Sequence, residues 1–331
     1  MSYNRLVRKS SVEWAAGASG SATTEAAYRV EDLNFDNTRV DVITNNNSVG
    51  AYQSDHNIAG GRRGFVNFTS DFRGSNVADY PAPEMRLLGA CGFDETASGA
   101  AASIVYSYAM GNLHLDAGSP AGVLDPIDLK VNNDRLERVY TDCVGNVSFN
   151  WTAGQIPKMN FTFEGLPSGS AYQSASPTIN TSQGKNPYPV QAYAMTISGS
   201  SLGSISAQVV QSIDYNVNNN IDPRSDINGT YGYSAPILTG QEPEITIMIE
   251  VTDTGTVDWE AAYITTQEEL LISFTHQSGG GKNVECAVSF DAYLSEQPVL
   301  SDVNGKFVYT LKLQQSVDSG ATPLTFAFAA S

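Results

Sequence analysis

Histidine and cysteine are scarce in this chain: each occurs three times in 331 residues. Those are the side chains on which metal centres and nucleophilic catalysis most often rest. His56, His114 and His276 lie in separate regions, with no pair at metal-ligand spacing and none close to a cysteine in sequence. Cys91, Cys143 and Cys286 are odd in number and widely spaced. They read as reduced, buried thiols rather than a disulfide frame, which fits a cytosolic origin. Basic residues are also in short supply. Against 35 Asp and Glu stand 18 Lys and Arg, a net charge of −17, and the parts before and after residue 170 carry −6 and −11. Stable nucleic-acid binding needs a cationic surplus to displace counterions from phosphates, so that class is excluded. Long apolar runs are missing too: no stretch approaches a membrane-spanning helix. The basic segment from Met1 to Lys9 has no apolar run behind it, so no secretion signal is expected.

What is present is β-strand patterning. Val147-Phe149-Trp151 and Met159-Phe161-Phe163 place apolar side chains at alternate positions, with Ser148, Asn150, Asn160 and Thr162 facing the other way. That period of two marks half-buried strands. Between them, Thr152 to Pro157 supplies the Gly and Pro of a hairpin connection. Further strands are predicted at 284–294 and 306–314, with Asp302-Val303-Asn304-Gly305 turning the chain between them. Helical signal is confined to Pro83–Phe93, punctuated by Pro, an acid and Gly, and to Asp258–Tyr263, extended at most through Leu270.

The chain also repeats itself. Val147-Ser148-Phe149-Asn150 is echoed by Val288-Ser289-Phe290-Asp291, and the run from Lys158 to Phe163 by the run from Lys306 to Leu311. Leu33-Asn34-Phe35-Asp36 is echoed by Ile213-Asp214-Tyr215-Asn216, and Gly60 by Gly240. A β-unit carried twice offers two similar surfaces to similar neighbours, which points toward assembly. The expected division is a first β domain over 1–167 with an N-terminal arm, a Ser-, Gly- and Pro-rich linker over 168–187, and a second β domain over 188–331. Two long Asn- and Gly-rich loops, 36–62 and 216–241, read as arms that contact a neighbouring subunit. Arg62 and Arg63, in the basic island where the first loop ends, and Asp222, Arg224 and Asp226 on the second loop are the candidate inter-subunit contacts.

No constellation carries chemistry. Gly199-Ser200-Ser201-Leu202-Gly203 matches a nucleophile elbow, but the run after it alternates like a strand, so it reads as a hairpin turn. Asp214, Asn216, Asn218 and Asp222 lack the Gly and terminal Glu of a calcium loop. Trp14, Trp151 and Trp259 read as packing rather than a cofactor cage. Neither an enzyme, nor a cofactor, nor a metal is expected.

Three stretches resemble the tail tube (major tail) proteins of long-tailed bacteriophages. Gly145–Gly154 followed by Lys158–Gly165 is similar to the family's paired strands. Ser212–Asn219 is similar to the strand that feeds its long inter-subunit loop, and Pro83–Phe93 to its short helix. The resemblance implies a mainly β fold, two tandem β-sandwich or split-barrel domains each with one short flanking helix. It implies a virion protein that forms stacked rings around a channel through which DNA is ejected, assembled in the host cytoplasm. Its implied partners are other copies of itself, the tape measure protein, the tail terminator and the distal tail or baseplate proteins. If a ring needs six β-units, two per chain predict three chains per ring; the alternative is six chains, with the second unit outside. A lumen lined by Asp and Glu would let DNA pass without sticking. Two other classes compete: an outer-membrane porin, since an acidic, Tyr-rich chain of alternating strands suits a β-barrel, and a β-sandwich glycoside hydrolase with two carboxylates at a sugar cleft.

Overall fold

The computed structural model of the chain describes residues 10–16, 28–43, 58–73, 83–98, 105–110, 126–133, 136–171, 189–191, 195–199, 203–205, 209–251, 257–265, 269–277, 285–316 and 323–329. Alternation dictates what forms. Where apolar side chains recur at every second position the chain runs as strand, because one face then packs on a core while the other meets water. The first part of the chain contributes β1 (Ser10–Ala16), β2 (Tyr28–Arg29), β3 (Glu31–Ile43), β4 (Ile58–Asp71), a 3-10 helix (Pro83–Cys91), β5 (Phe93–Ser98), β6 (Val105–Met110), β7 (Ile127–Asn133), β8 (Leu136–Thr152) and β9 (Lys158–Ala171). The remainder contributes β10 (Thr196–Gly199), β11 (Gly203–Ile205), β12 (Val209–Asn216), β13 (Asn219–Asp222), β14 (Ile237–Gln241) and β15 (Glu244–Glu250). After these come α1 (Trp259–Thr265), β16 (Leu270–Gln277), β17 (Glu285–Leu294), β18 (Val299–Val303), β19 (Lys306–Gln315) and β20 (Thr325–Ala329).

The strands make two layers of a sandwich that does not close into a barrel. One layer is an unbroken antiparallel run, β3-β4-β9-β8-β12-β15-β19-β18. The other runs β5-β6-β20-β17-β16-β10-β11. β17 also meets β19 at Ala292–Leu294, where the layers join. The N-terminal half of β8 carries a side branch through β7 to β1 and β2. β13 and β14 stand apart as a two-stranded hairpin.

The winding of the first layer occurs twice. Within β3-β4-β9-β8 the chain visits the first, second, fourth and third places in turn, and within β12-β15-β19-β18 it does so again. A short helix and a hairpin of the second layer interrupt each set: the 3-10 helix and β5–β6 in one, α1 and β16–β17 in the other. The two sets join where β8 pairs with β12, with Phe149 opposite Tyr215 and Trp151 opposite Ile213.

Between the layers lies one aromatic core. Trp151 packs at ring-centroid distances of 5.4 Å on Phe149, 5.3 Å on Phe274 and 5.9 Å on Phe72. Phe326, on β20 between β6 and β17, reaches Phe149 at 4.8 Å. Tyr215 meets Phe290 at 5.5 Å, and its hydroxyl donates to Gln315 Oε1, which satisfies a phenol with no route to water. Trp14 and Trp259 are buried as well, and Cys91, Cys143 and Cys286 are free thiols in the core. Burial pushes the Cys91 and Cys143 thiols well above their usual range, so they pack as small apolar groups.

Several sequence expectations need adjustment. The Asn304-Gly305 turn joins β18 to β19, not β17 to β19, because Val299–Val303 forms a strand of its own. Both residues there have positive φ, 54° and 78°, which this dipeptide tolerates. The second helix ends at Thr265, and Leu270 opens β16. β9 continues through the predicted start of the linker to Ala171, while 172–188 lies outside the described residues. The echo of Val147–Asn150 in Val288–Asp291 does not mark equivalent places: the former lies in β8 of the first layer, the latter in β17 of the second. Any strand with one face on this core alternates in the same way, so the likeness reflects shared physics. Gly60 and Gly240 likewise fall in unlike strands, β4 and β14. The echoes of β3 in β12 and of β9 in β19 do match the winding.

Candidate assembly and channel surface

The outer face of the first layer is polar from strand to strand. The positions alternating with the core residues are Thr69 on β4, Asn160 on β9, Ser148 and Asn150 on β8, Asp214 and Asn216 on β12, and Glu244 and Thr246 on β15. They bond along the sheet: Thr69 Oγ1 donates to Asn160 Oδ1 at 2.9 Å, and Asn160 Nδ2 to Ser148 Oγ at 3.4 Å. Across the β8–β12 seam, Asn150 Nδ2 donates to Asp214 Oδ1. These side chains, with Glu31 and Asp32, line an open groove of about 580 Å³. Four carboxylates, Glu31, Asp32, Asp214 and Glu244, border it, against the single ammonium of Lys158. That ammonium is held at 2.6 Å from Asp71 and 2.7 Å from Glu31. Burial pulls the Lys158 pKa down, the two carboxylate hydrogen bonds push it up, and the net direction is up. The groove is a negatively charged floor of hydrogen-bonding side chains.

The second feature is the arm from Val217 to Gln241. Its root is Asn219, which is buried. Asn219 Nδ2 donates to the carbonyl of Cys91 at 2.8 Å and to that of Gly145 at 2.9 Å, and its Oδ1 accepts from Gln241 Nε2 at 2.9 Å. Asn146 exchanges two further bonds with the Asn219 backbone. The Cys91 carbonyl closes the 3-10 helix, so this one side chain caps that helix and pins the arm to β8.

The tip of the arm folds onto the end of the β3–β4 hairpin of its own chain. Arg62 N donates to Tyr231 O at 3.0 Å, the Tyr233 hydroxyl donates to Asp41, and the Arg63 guanidinium lies 5.1 Å from the Tyr233 ring centroid. Gly61 permits the approach, since a Cβ there would lie 2.5 Å from Tyr233 Cε2. The hydrogen bond to Asp41 and then burial push the Tyr233 phenol above its usual pKa.

The predicted contact residues are thereby placed. Arg63 donates to Glu164 Oε1 at 3.0 Å within the chain, and Arg62 is exposed beside it. Asp222 and Arg224 are exposed on the arm. The Asp226 carboxylate accepts from Asn228 N at 2.8 Å and shapes the tip. The structure therefore brings the Arg62–Arg63 segment and the arm together inside one chain. Sequence reasoning missed Asn219, Asn146, Asp41 and the Tyr231-Gly232-Tyr233 run. The aromatic pair around a glycine was the available signal for the last. His276 is in β16, and His56 and His114 lie outside the described residues. Among the described residues no His, Cys, Asp and Glu cluster could hold a metal, and no helix is long and apolar enough to cross a membrane.

The sequence model of one family, described as phage tail tube protein, matches residues 13–310, more than half of the chain. The chain belongs to that family. Comparison with curated proteins finds no match. Membership gives the protein a structural role as a component of the phage tail tube, and a tail tube is built by self-assembly.

Proposed function

We propose that copies of this chain form rings that stack into the hollow tail tube, with the acidic groove facing the channel. The observation that carries this is the doubled winding of the first layer, joined by ordinary strand pairing at β8–β12. It favours two tandem units per chain, which the division into 1–167, a linker over 168–187 and 188–331 expresses. It also favours three chains per ring over six, because two units already stand side by side in one sheet. A wall rich in Asn, Ser, Thr and carboxylates suits DNA that must slide: like charges repel the backbone, and the cationic surplus that would hold it is missing. On this reading the protein carries out no catalysis. Its other partners are tape measure, terminator and distal tail proteins, met after synthesis in the host cytoplasm. Family membership speaks against the porin and the glycoside hydrolase. Negative-stain electron microscopy with native mass spectrometry tests the reading: hollow rings or filaments with three chains per ring are expected. A protein that stays monomeric at high concentration overturns it.

A further inference from the structure

The first layer forks at one end. β4 keeps β3 beside it as far as Ile58, but it pairs with β9 only from Gly64 to Asp71. From Leu166 onward β9 follows β8 alone. Among the described residues no strand pairs with the two edges that face the fork, 58–63 of β4 and 166–171 of β9. A bare edge is a template on which another chain can pair.

The two prongs are defended differently. β9 carries Pro167, which has no N–H to offer and blunts its edge. β4 has no proline there. Its run Ile58-Ala59-Gly60-Gly61-Arg62-Arg63 is Gly-rich, and its register with β3 shifts between Asp36 and Arg39 and again between Val40 and Val42. Of its two charges, Arg63 is already paired with Glu164. Gly-rich strands specify their register weakly and accept wrong partners.

What covers the β4 edge is the tip of the arm. Tyr231 O takes the Arg62 N–H, on the side that β9 has left. The Tyr233 ring lies against Gly61 and over the Arg63 guanidinium, at the base of the fork. The residues that fasten the tip are all at least partly exposed, whereas the root of the arm at Asn219 is buried and holds three side-chain hydrogen bonds. A fixed root with a lightly held tip makes a cover that opens without unfolding the sandwich. We infer that the arm tip is a guard: closed, it occupies the outward edge of β4 at 58–63 and stops free chains from pairing there out of register. The guard acts on the chain before assembly, and it stands whether or not wild type goes on to form rings.

Opening the tip from the arm side tests this and leaves the β4 edge as it is. Gly232 has a φ of +77°, which a β-branched residue does not adopt, so Gly232→Val together with Tyr233→Ser unseats the tip. Amide exchange of the full chain should then show loss of protection at Arg62 N–H. Sedimentation velocity and negative stain should show irregular oligomers at concentrations where wild type gives only monomers or rings. A synthetic peptide of residues 226–234, added in excess, should cover the edge and restore the wild-type pattern, and a scrambled peptide should not. Arg62→Pro in the same background gives β4 the defence that Pro167 gives β9, and should restore it as well. These two rescues separate an open edge from a misfolded variant. A variant that loses protection at Arg62 yet sediments like wild type overturns the guard, as does irregular association that neither rescue relieves. Protection of Arg62 N–H that survives both substitutions overturns the arm tip as the cover. None of these outcomes touches the tube reading, which fails only if wild type itself never assembles.

Discussion

Replacing Tyr233 by Phe isolates what holds the arm to the β3–β4 hairpin. The ring stays, with its packing on Gly61 and its contact with the Arg63 guanidinium; the bond donated to Asp41 is lost. A hydrogen bond to a charged group contributes about 1.5–3 kcal/mol. Asp41 and Tyr233 are both partly exposed, so water recovers part of that and the loss becomes about 1–2 kcal/mol. The arm's docking equilibrium should fall roughly 5- to 30-fold. Amide exchange of the purified chain reads this directly: Arg62 N–H, bonded to Tyr231 O, and the segment around 225–234 should exchange faster by that factor, while β8 and β9 keep wild-type protection. The pH dependence gives a second check. The hydrogen bond to Asp41, and after it burial, raise the phenol's pKa in the docked arm above its ordinary value. Its contribution is therefore complete below about pH 10 and is lost as pH climbs through the elevated value. Wild type should release the arm in that alkaline window, and Tyr233→Phe should show no such step. Unchanged exchange in the variant would refute the assignment of the arm's hold to this bond.

Asn219→Ala leaves two buried carbonyls, Cys91 O and Gly145 O, without their donor. At about 1–3 kcal/mol each it should cost about 2–6 kcal/mol in denaturant titration, with increased exchange at the end of the 3-10 helix. Trp151→Ala empties the centre of the inter-layer core and should cost about 3–5 kcal/mol, checked by urea unfolding. Asp214→Lys combined with Glu244→Lys reverses two of the four groove carboxylates; assembled tubes of this variant should retain DNA in a salt-dependent manner in a filter assay, whereas wild-type tubes should not.

The strands around Val147–Trp151 and Met159–Phe163 could be read directly from the sequence, because alternation is a local consequence of having one face on a core. The absence of a cationic surplus was equally plain. Less could be read where distant residues decide. In the sequence the turn starts at Asp302 and residues 299–301 read as no strand, because Val299 and Leu300 are exposed and show no burial period; only pairing with β19 makes Val299–Val303 a strand. The echo between Val147–Asn150 and Val288–Asp291 misled because the two layers impose the same period on unlike positions.

By itself, then, the sequence determined a β-rich, acidic chain short of basic residues, histidine and cysteine, since composition and period are properties of short stretches. The tertiary structure alone decided that β8 and β12 share a seam, that Asn219 caps a helix 128 residues away, and that the arm lies on its own chain's hairpin. Such pairings depend on which backbone donors and acceptors remain free once the layers have packed. No local pattern of side chains encodes that.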